Sequence, residues 1–121
     1  NLGGSDPATL ALAVAATVVS TAVPGRCVLD AGAKALAKDR PDWLAGHGVV
    51  PHLPGAVIRA VYDHHAVLDL AHDTPPPRVG DVVAVVPNHV CPVVNLTDEL
   101  LLTRAGETVD RLPVLARGRT S

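Results

Sequence analysis

A mainly β fold, either an antiparallel β-sheet or a small β-barrel with one or two short helices, is predicted by three observations. Apolar residues make up 48% of the 121-residue chain, yet Phe and Met are absent and aromatics reach only 2%. The core must therefore be built from Val, Leu, Ala and Ile, a set that fills sheets well. The apolar runs are short and rich in β-branched residues, and turn signals separate them, as at Pro24-Gly25, Val79-Gly80-Asp81 and Arg104-Ala105-Gly106-Glu107.

Taken in order, the first element is ambiguous between helix and strand. Asp6-Pro7 resembles an N-cap followed by a first-turn proline, whereas Val14, Thr17, Val18, Val19 and Thr21 are β-branched and run into Pro24-Gly25. The β-branched residues decide for a strand over about Leu10 to Val23. Arg26 to Asp30 reads as a short buried strand, and Gly32 permits a change of direction into at most a short helix over Ala33 to Lys38. Arg40 to Pro54 carries Pro41, Gly46, Gly48, Pro51 and Pro54 and reads as a loop or short edge pieces, with Trp43 as a packing anchor.

Ala56 to Leu70 reads as two apolar strands around Asp63-His64-His65. Pro75-Pro76-Pro77 cannot donate to a central ladder, so the segment holding them is an exposed connection. Strands are then expected over Val82 to Val86, Val90 to Leu96, Leu100 to Thr103 and Thr108 to Leu115, the last two joined as a hairpin through Arg104 to Glu107.

The length fits one compact domain. Ten basic and twelve acidic residues are scattered through the chain, giving a formal charge of −2 and no positive stripe. Nucleic acid is therefore not an expected partner. The apolar run from Leu10 to Val19 is too short for a bilayer, which needs roughly 18 or more residues, and no basic residue precedes it as in a secretory signal. No membrane association is expected. Cys27 and Cys91 lie far apart with no disulfide framework around them, which points to free thiols and a cytoplasmic setting. The start at Asn1 suggests a mature fragment or an excised domain.

Of the residues that can carry chemistry, His89-Val90-Cys91 is foremost. On an extended chain, residues two apart share a face, so an imidazole nitrogen and a thiolate can be presented to one ion, and that donor pair suits zinc. Pro87 and Pro92 bracket the pair, and Asn88 can orient a ligand or cap the turn. The same spacing equally describes a packed Cys beside a surface His. His64 and His65 are next, between two strands, and at most one of them can face a given side. Lys34 reads as solvated or ion-paired, His47, His52 and His72 as surface residues, Cys27 as a buried small hydrophobe, and Asp98-Glu99 as a polar turn. Arg117 and Arg119 are either solvated or paired with acidic groups of another domain.

The string from Val79 to Leu96 (VGDVVAVVPNHVCPVVNL) is similar to the signature of the C-terminal domain of the D-serine dehydratase-like family. Three further segments carry the same resemblance in the same order: Ala16 to Ser20, Asp30 to Leu36, and the tail Leu112 to Arg119. The resemblance implies a fold-type III, alanine racemase-like enzyme that depends on pyridoxal phosphate. An N-terminal α/β barrel absent from this chain would hold the cofactor lysine, and this domain would form the other wall of the active site.

By the same resemblance, His89 and Cys91 match positions that bind zinc beside the cofactor, where the metal assists departure of a β-hydroxyl. Related D-threonine aldolases carry Asp in place of the Cys, so Cys91 favours the dehydratase-like branch. His65 matches a His in an acidic-His-Gly pattern, with a catalytic role near the cofactor or metal, although His64 and Ala66 depart from that pattern. The implied reaction is loss of water and then ammonia from a D-serine-like D-amino-acid substrate. The alternatives are retro-aldol cleavage and a free-standing, non-catalytic β interaction domain. The implied partners are the chain's own barrel domain and a second subunit in a homodimer, and the isolated chain is expected to be inactive.

Overall fold

The computed structural model describes residues 10–119. The Asp6-Pro7 capping signal and the start at Asn1 lie outside them. Eight strands and two short helices follow one another as β1 (Val14–Ser20), β2 (Arg26–Leu29), α1 (Ala33–Leu36), β3 (Gly48–Val49), β4 (Val57–Val61), β5 (Ala66–Asp69), β6 (Val82–Pro87), α2 (Val90–Asn95), β7 (Glu99–Arg104) and β8 (Glu107–Pro113). The mainly β expectation holds, as does its antiparallel character.

Six strands form one sheet in the order β3-β6-β1-β2-β5-β4, every pairing antiparallel. The two edges approach each other: the His47 amide, next to β3, donates to the carbonyl of Ile58 in β4 at 3.0 Å, so the sheet is nearly closed as a barrel. Closure leaves few unpaired edge groups. Alternation does the rest, since Ala16 and Val18, Cys27 and Leu29, Ala66 and Leu68, and Val83 and Val85 each sit two apart, point inward and are buried. Cys27 is the small buried hydrophobe expected of it, and burial pushes its thiol pKa up. Both cysteines are free.

The corners are held by specific polar contacts. Beyond the end of β2, the Asp30 carboxylate accepts from the Thr17 amide at 2.6 Å, continuing the β1–β2 pairing one residue past Val18 and Leu29. Arg26 and Arg59 both reach Asp69 across β2, β5 and β4, at 2.8 and 3.2 Å. The triple-proline segment is an irregular connection, as predicted, and leads through Gly80, whose amide donates to the Val18 carbonyl, into β6.

Gly32 decides how α1 seats. A Cβ there would lie 2.3 Å from the Tyr62 carbonyl oxygen and 2.5 Å from the His65 nitrogen, so only glycine lets α1 start directly on the β4–β5 turn. In that position the Ala33 amide donates to Tyr62 O at 2.7 Å and the Lys34 amide to Asp63 O at 3.1 Å.

Two expectations are corrected. Val90–Asn95 is a helix rather than a strand. Its valines favour extended backbone, but Pro92 falls in the first turn, where the amide it lacks has no intrahelical acceptor, and the segment follows directly on β6. Trp43 is 79% exposed and anchors nothing, because the surrounding Pro/Gly-rich loop carries it away from the barrel interior.

Candidate functional site

The end of β6 delivers Asn88 and His89 into α2. His89 is the N-cap residue of that helix, extended at φ −144° and ψ 115°, and Cys91 lies two residues further along, in the first turn. The pair therefore spans a strand-to-helix junction instead of sharing the face of a strand. Both side chains are exposed, and Cys91 carries a free thiol.

Asn88 organises the junction. Its side-chain amide donates to the carbonyl oxygens of Asp39 at 3.0 Å and Gly46 at 3.1 Å, fastening both ends of the 39–46 loop to the end of β6. That loop leaves α1 through Ala37, a non-glycine residue at φ 59° and ψ −170°. The Asp39 carboxylate meets the His89 ring, Oδ2 to Nδ1, at 2.7 Å. Sequence reasoning missed Asp39: it is 50 positions from His89, in a polar segment with no motif around it.

His65 closes the β4–β5 hairpin on the α1 side. It is exposed, and its carbonyl accepts from the Tyr62 amide at 2.8 Å. Its neighbour His64 contacts Lys34, Nε2 to Nζ at 3.2 Å, and the same ammonium lies 3.7 Å from the Asp63 carboxylate. Lys34 is thus a surface ion-pairing residue, as predicted. His65 does not join His89 and Cys91 in a cluster, and among the described residues no group of three or more His, Cys, Asp or Glu side chains is arranged to hold a metal ion.

His47, read from sequence as a surface residue, is partly enclosed, and its Nδ1 is buried without a hydrogen-bond partner. Burial lowers its pKa from 6.5, and the nearby cations Arg40 and Lys38 lower it further. His52 and His72 are exposed as expected. Asp98 and Glu99 are more than a polar turn, for they pair with Arg117 and Arg111.

A cleft of about 630 Å³ lies between β1, the two helices and the β7–β8 pair, lined by Leu12, Val14, Val93, Leu96, Leu100 and Leu112 with Lys34 and Glu99 as its charged residues. None of His65, His89 and Cys91 lines it. The chemistry-bearing residues therefore lie outside it. Among the described residues no helix is long and apolar enough to cross a membrane.

A donor test on the junction is favourable to a metal. With Nδ1 of His89 engaged by Asp39, Nε2 remains for a ligand, and the Cys91 sulfur is accessible; an imidazole nitrogen and a thiolate form a zinc-type donor set. Two protein donors leave the remaining coordination positions to other groups. The same test fails for pyridoxal phosphate, since Lys34 is exposed and engaged by His64 and Asp63.

Comparison with known proteins identifies the family of the chain. The family model described as "Putative serine dehydratase domain" matches residues 11–103. An uncharacterised protein of Mycobacterium tuberculosis is 43% identical over 122 residues, covering 98% of this chain and 92% of that protein. A D-threonine aldolase of an Arthrobacter species is 37% identical over 108 residues, covering 88% of this chain but 27% of the aldolase. Among solved structures, the D-threonine aldolase from Filomicrobium marinum superposes with a TM-score of 0.78 at 32% identity, covering 90% of this chain and 29% of that one. The D-threo-3-hydroxyaspartate dehydratase from Delftia sp. HT23 shares the fold, with a TM-score of 0.67 at 23% identity, over 85% of this chain and 31% of its own. The chain thus spans less than a third of these enzymes and most of the mycobacterial protein. A family match over most of the chain, together with a relative sharing 43% of its residues almost end to end, shows that the chain belongs to this serine dehydratase domain family.

Proposed function

We propose that this chain is the metal-binding wall of the active site of a pyridoxal-phosphate-dependent lyase acting on D-hydroxy-amino acids, with His89 and Cys91 as the metal ligands. The observation that carries the reading is the junction itself: an imidazole with one ring nitrogen free and an exposed thiol flank the entry into α2. Zinc bound there would act as a Lewis acid on a substrate hydroxyl, making a poor leaving group a better one. His89 and Cys91 would hold the ion at the domain surface, where a second domain can complete its shell. Asn88 and the 39–46 loop would keep the ligands in place.

His65, on a separate exposed turn, is proposed as a residue that faces the cofactor side of the assembled enzyme and moves or holds a proton there. The cofactor itself would be held by an N-terminal α/β barrel, which these 121 residues do not contain. The enzymes that match are more than three times as long as the matched region, which supports a larger partner domain, and the same assembly is proposed to be a homodimer. Loss of water and then ammonia from a D-serine-like substrate is the favoured reaction, because Cys91 sets this chain apart from the aldolase pattern in which Asp replaces it. Retro-aldol cleavage is the competing chemistry, supported by the 37% identity to the Arthrobacter aldolase.

A second reading is favoured by a specific observation. The mycobacterial relative is covered over 92% of its length, so this domain also occurs as most of a protein in its own right. In that setting it would be a free-standing β domain without turnover.

The test measures zinc content and the turnover of D-serine and D-threonine for the barrel-containing protein, its His89→Ala and Cys91→Ala variants, and this chain alone. Loss of bound zinc and of turnover in both variants, with no turnover by the chain alone, is expected. Unchanged metal content in both variants removes the ligand assignment. The absence of any barrel partner in the native protein moves the conclusion to the free-standing reading.

A further inference from the structure

We infer that Asp39 is a positioning residue for His89, holding its imidazole in the tautomer that presents an unprotonated Nε2 to a metal ion. The inference rests on the reading of His89 and Cys91 as ligands. A carboxylate accepts hydrogen bonds and donates none, so the 2.7 Å contact between Asp39 Oδ2 and His89 Nδ1 places a proton on Nδ1. Neutral imidazole has one N–H, and Nε2 then keeps its lone pair, which is the donor a divalent ion requires. The hydrogen bond also fixes the rotation of the ring.

The arrangement around Asp39 is reciprocal. Asn88 grips the Asp39 carbonyl at 3.0 Å and the Gly46 carbonyl at 3.1 Å, while the Asp39 side chain grips His89, the residue next to Asn88. Backbone 39 is thus fixed by residue 88 and ring 89 by side chain 39. The loop reaches this position through Ala37, whose φ of 59° and ψ of −170° belong to a region that glycine alone enters readily. A bare surface ion pair contributes too little to stability to explain such a conformation by itself. Orientation of the ring ahead of binding gives the contact a purpose that stability does not.

The experiment uses the chain with zinc alone as the probe and two readouts. Zinc affinity is measured by competition with a chromophoric chelator, and the His89 tautomer is read without metal, at a pH where the ring is neutral, from its ring nitrogen shifts. In the wild type the tautomer with the proton on Nδ1 dominates. Asp39→Ala moves the balance toward the proton on Nε2 and weakens zinc binding about 10- to 100-fold. Asp39→Asn, which keeps an acceptor without the charge and changes the shape little, falls between the two. Wild-type tautomer balance in both variants overturns the inference, as does wild-type zinc affinity in both. His89→Ala separates the two levels: if it binds zinc as the wild type does, the ligand reading fails and this inference fails with it. If His89→Ala loses zinc while Asp39→Ala does not, the inference alone fails. The tautomer readout needs no metal, so a low zinc affinity leaves the proposal falsifiable.

Discussion

The six-stranded sheet and the β7–β8 ribbon both carry apolar side chains, and these end in opposite surroundings. In β6, Val83, Val85 and Val86 are buried, whereas in β7 and β8 Leu101, Leu102, Val109 and Leu112 remain exposed. The difference lies in what each sheet faces. The barrel curls until inward side chains meet one another across its interior, and its pairings join residues far apart in the chain, such as Arg26 with Asp69. The ribbon pairs only with itself, and its order is local. Two strands alone are marginally stable in water, so the ribbon depends on tethers at its base. There Val114 donates to the Asp98 carbonyl at 2.8 Å, the Gly118 amide donates to the Asn95 side chain at 2.6 Å, and Arg117 pairs with Asp98. Apolar content, then, makes a core only where a second layer is available to meet it.

The largest expected effect falls on the seam that holds the barrel to α1. Gly32→Ala drives a methyl into three backbone positions, the Tyr62 oxygen, the His65 nitrogen and the Asp63 carbon, at 2.3, 2.5 and 2.6 Å. Backbone cannot swing aside as a side chain can, so α1 must lift from the β4–β5 turn and lose the amide bonds of Ala33 and Lys34. A loss of about 3 kcal/mol or more is expected in urea unfolding followed by circular dichroism. A change within about 0.5 kcal/mol would mean that the turn is free to move and that the barrel does not depend on this seam. Next comes the interior, where Ile58 is fully buried: Ile58→Val should cost about 1 kcal/mol by removing one methylene from a packed site. The equivalent trim on the ribbon, Leu101→Val, should fall within about 0.5 kcal/mol. Equal costs at the two positions would erase the contrast between the regions.

Those positions also show how far the chain could be read before its structure was known. The strands β2, β4, β5 and β6 were legible because inward residues alternate and Pro, Gly and Asp mark their ends, as at Pro24-Gly25 and Gly80-Asp81. β7 and β8 were legible through Ala105-Gly106. β3 is legible only as one of the short edge pieces expected within 40–54, since a two-residue strand inside a Pro/Gly-rich loop exists only because β6 pairs with it. Val90–Asn95 was misread because its valines are extended by preference, while the position of Pro92 in a first turn is visible only once the helix start is known. Within the candidate site, His89 and Cys91 stood out by residue type and family resemblance. Asp39 did not, because a carboxylate 50 positions away is brought to His89 by the fold and by Asn88.

A smaller effect should appear with pH, and it belongs to the barrel side. His47 has a pKa lowered from 6.5, chiefly by burial and then by Arg40 and Lys38, so the folded state favours its neutral form. A group with a depressed folded pKa stabilises the fold above its unfolded value and loses that contribution as pH falls through its folded value. Acidification below about 6.5 should therefore reduce the unfolding midpoint, and His47→Gln should flatten that part of the profile. A wild-type slope retained in His47→Gln would assign the pH dependence to other groups.

The smallest expected effect separates the two regions most sharply. The β7–β8 turn has Ala105 at φ 51° followed by Gly106 at φ 84°, both positive, as a two-residue turn that matches the twist of a hairpin requires. Ala pays for its Cβ in that conformation, and Ala105→Gly should relieve it by roughly 0.5 kcal/mol net of the greater freedom of glycine in the unfolded chain. Because the ribbon's hydrogen bonds outside its own ladder lie at its base among the described residues, the gain should stay local. Amide exchange of the β7 and β8 hydrogen-bonded amides should slow about twofold while those of β2 and β5 keep their rates. Slowing by the same factor in both regions would show that ribbon and barrel open as one cooperative unit, with the ribbon's stability drawn from the barrel core and not from its own turn.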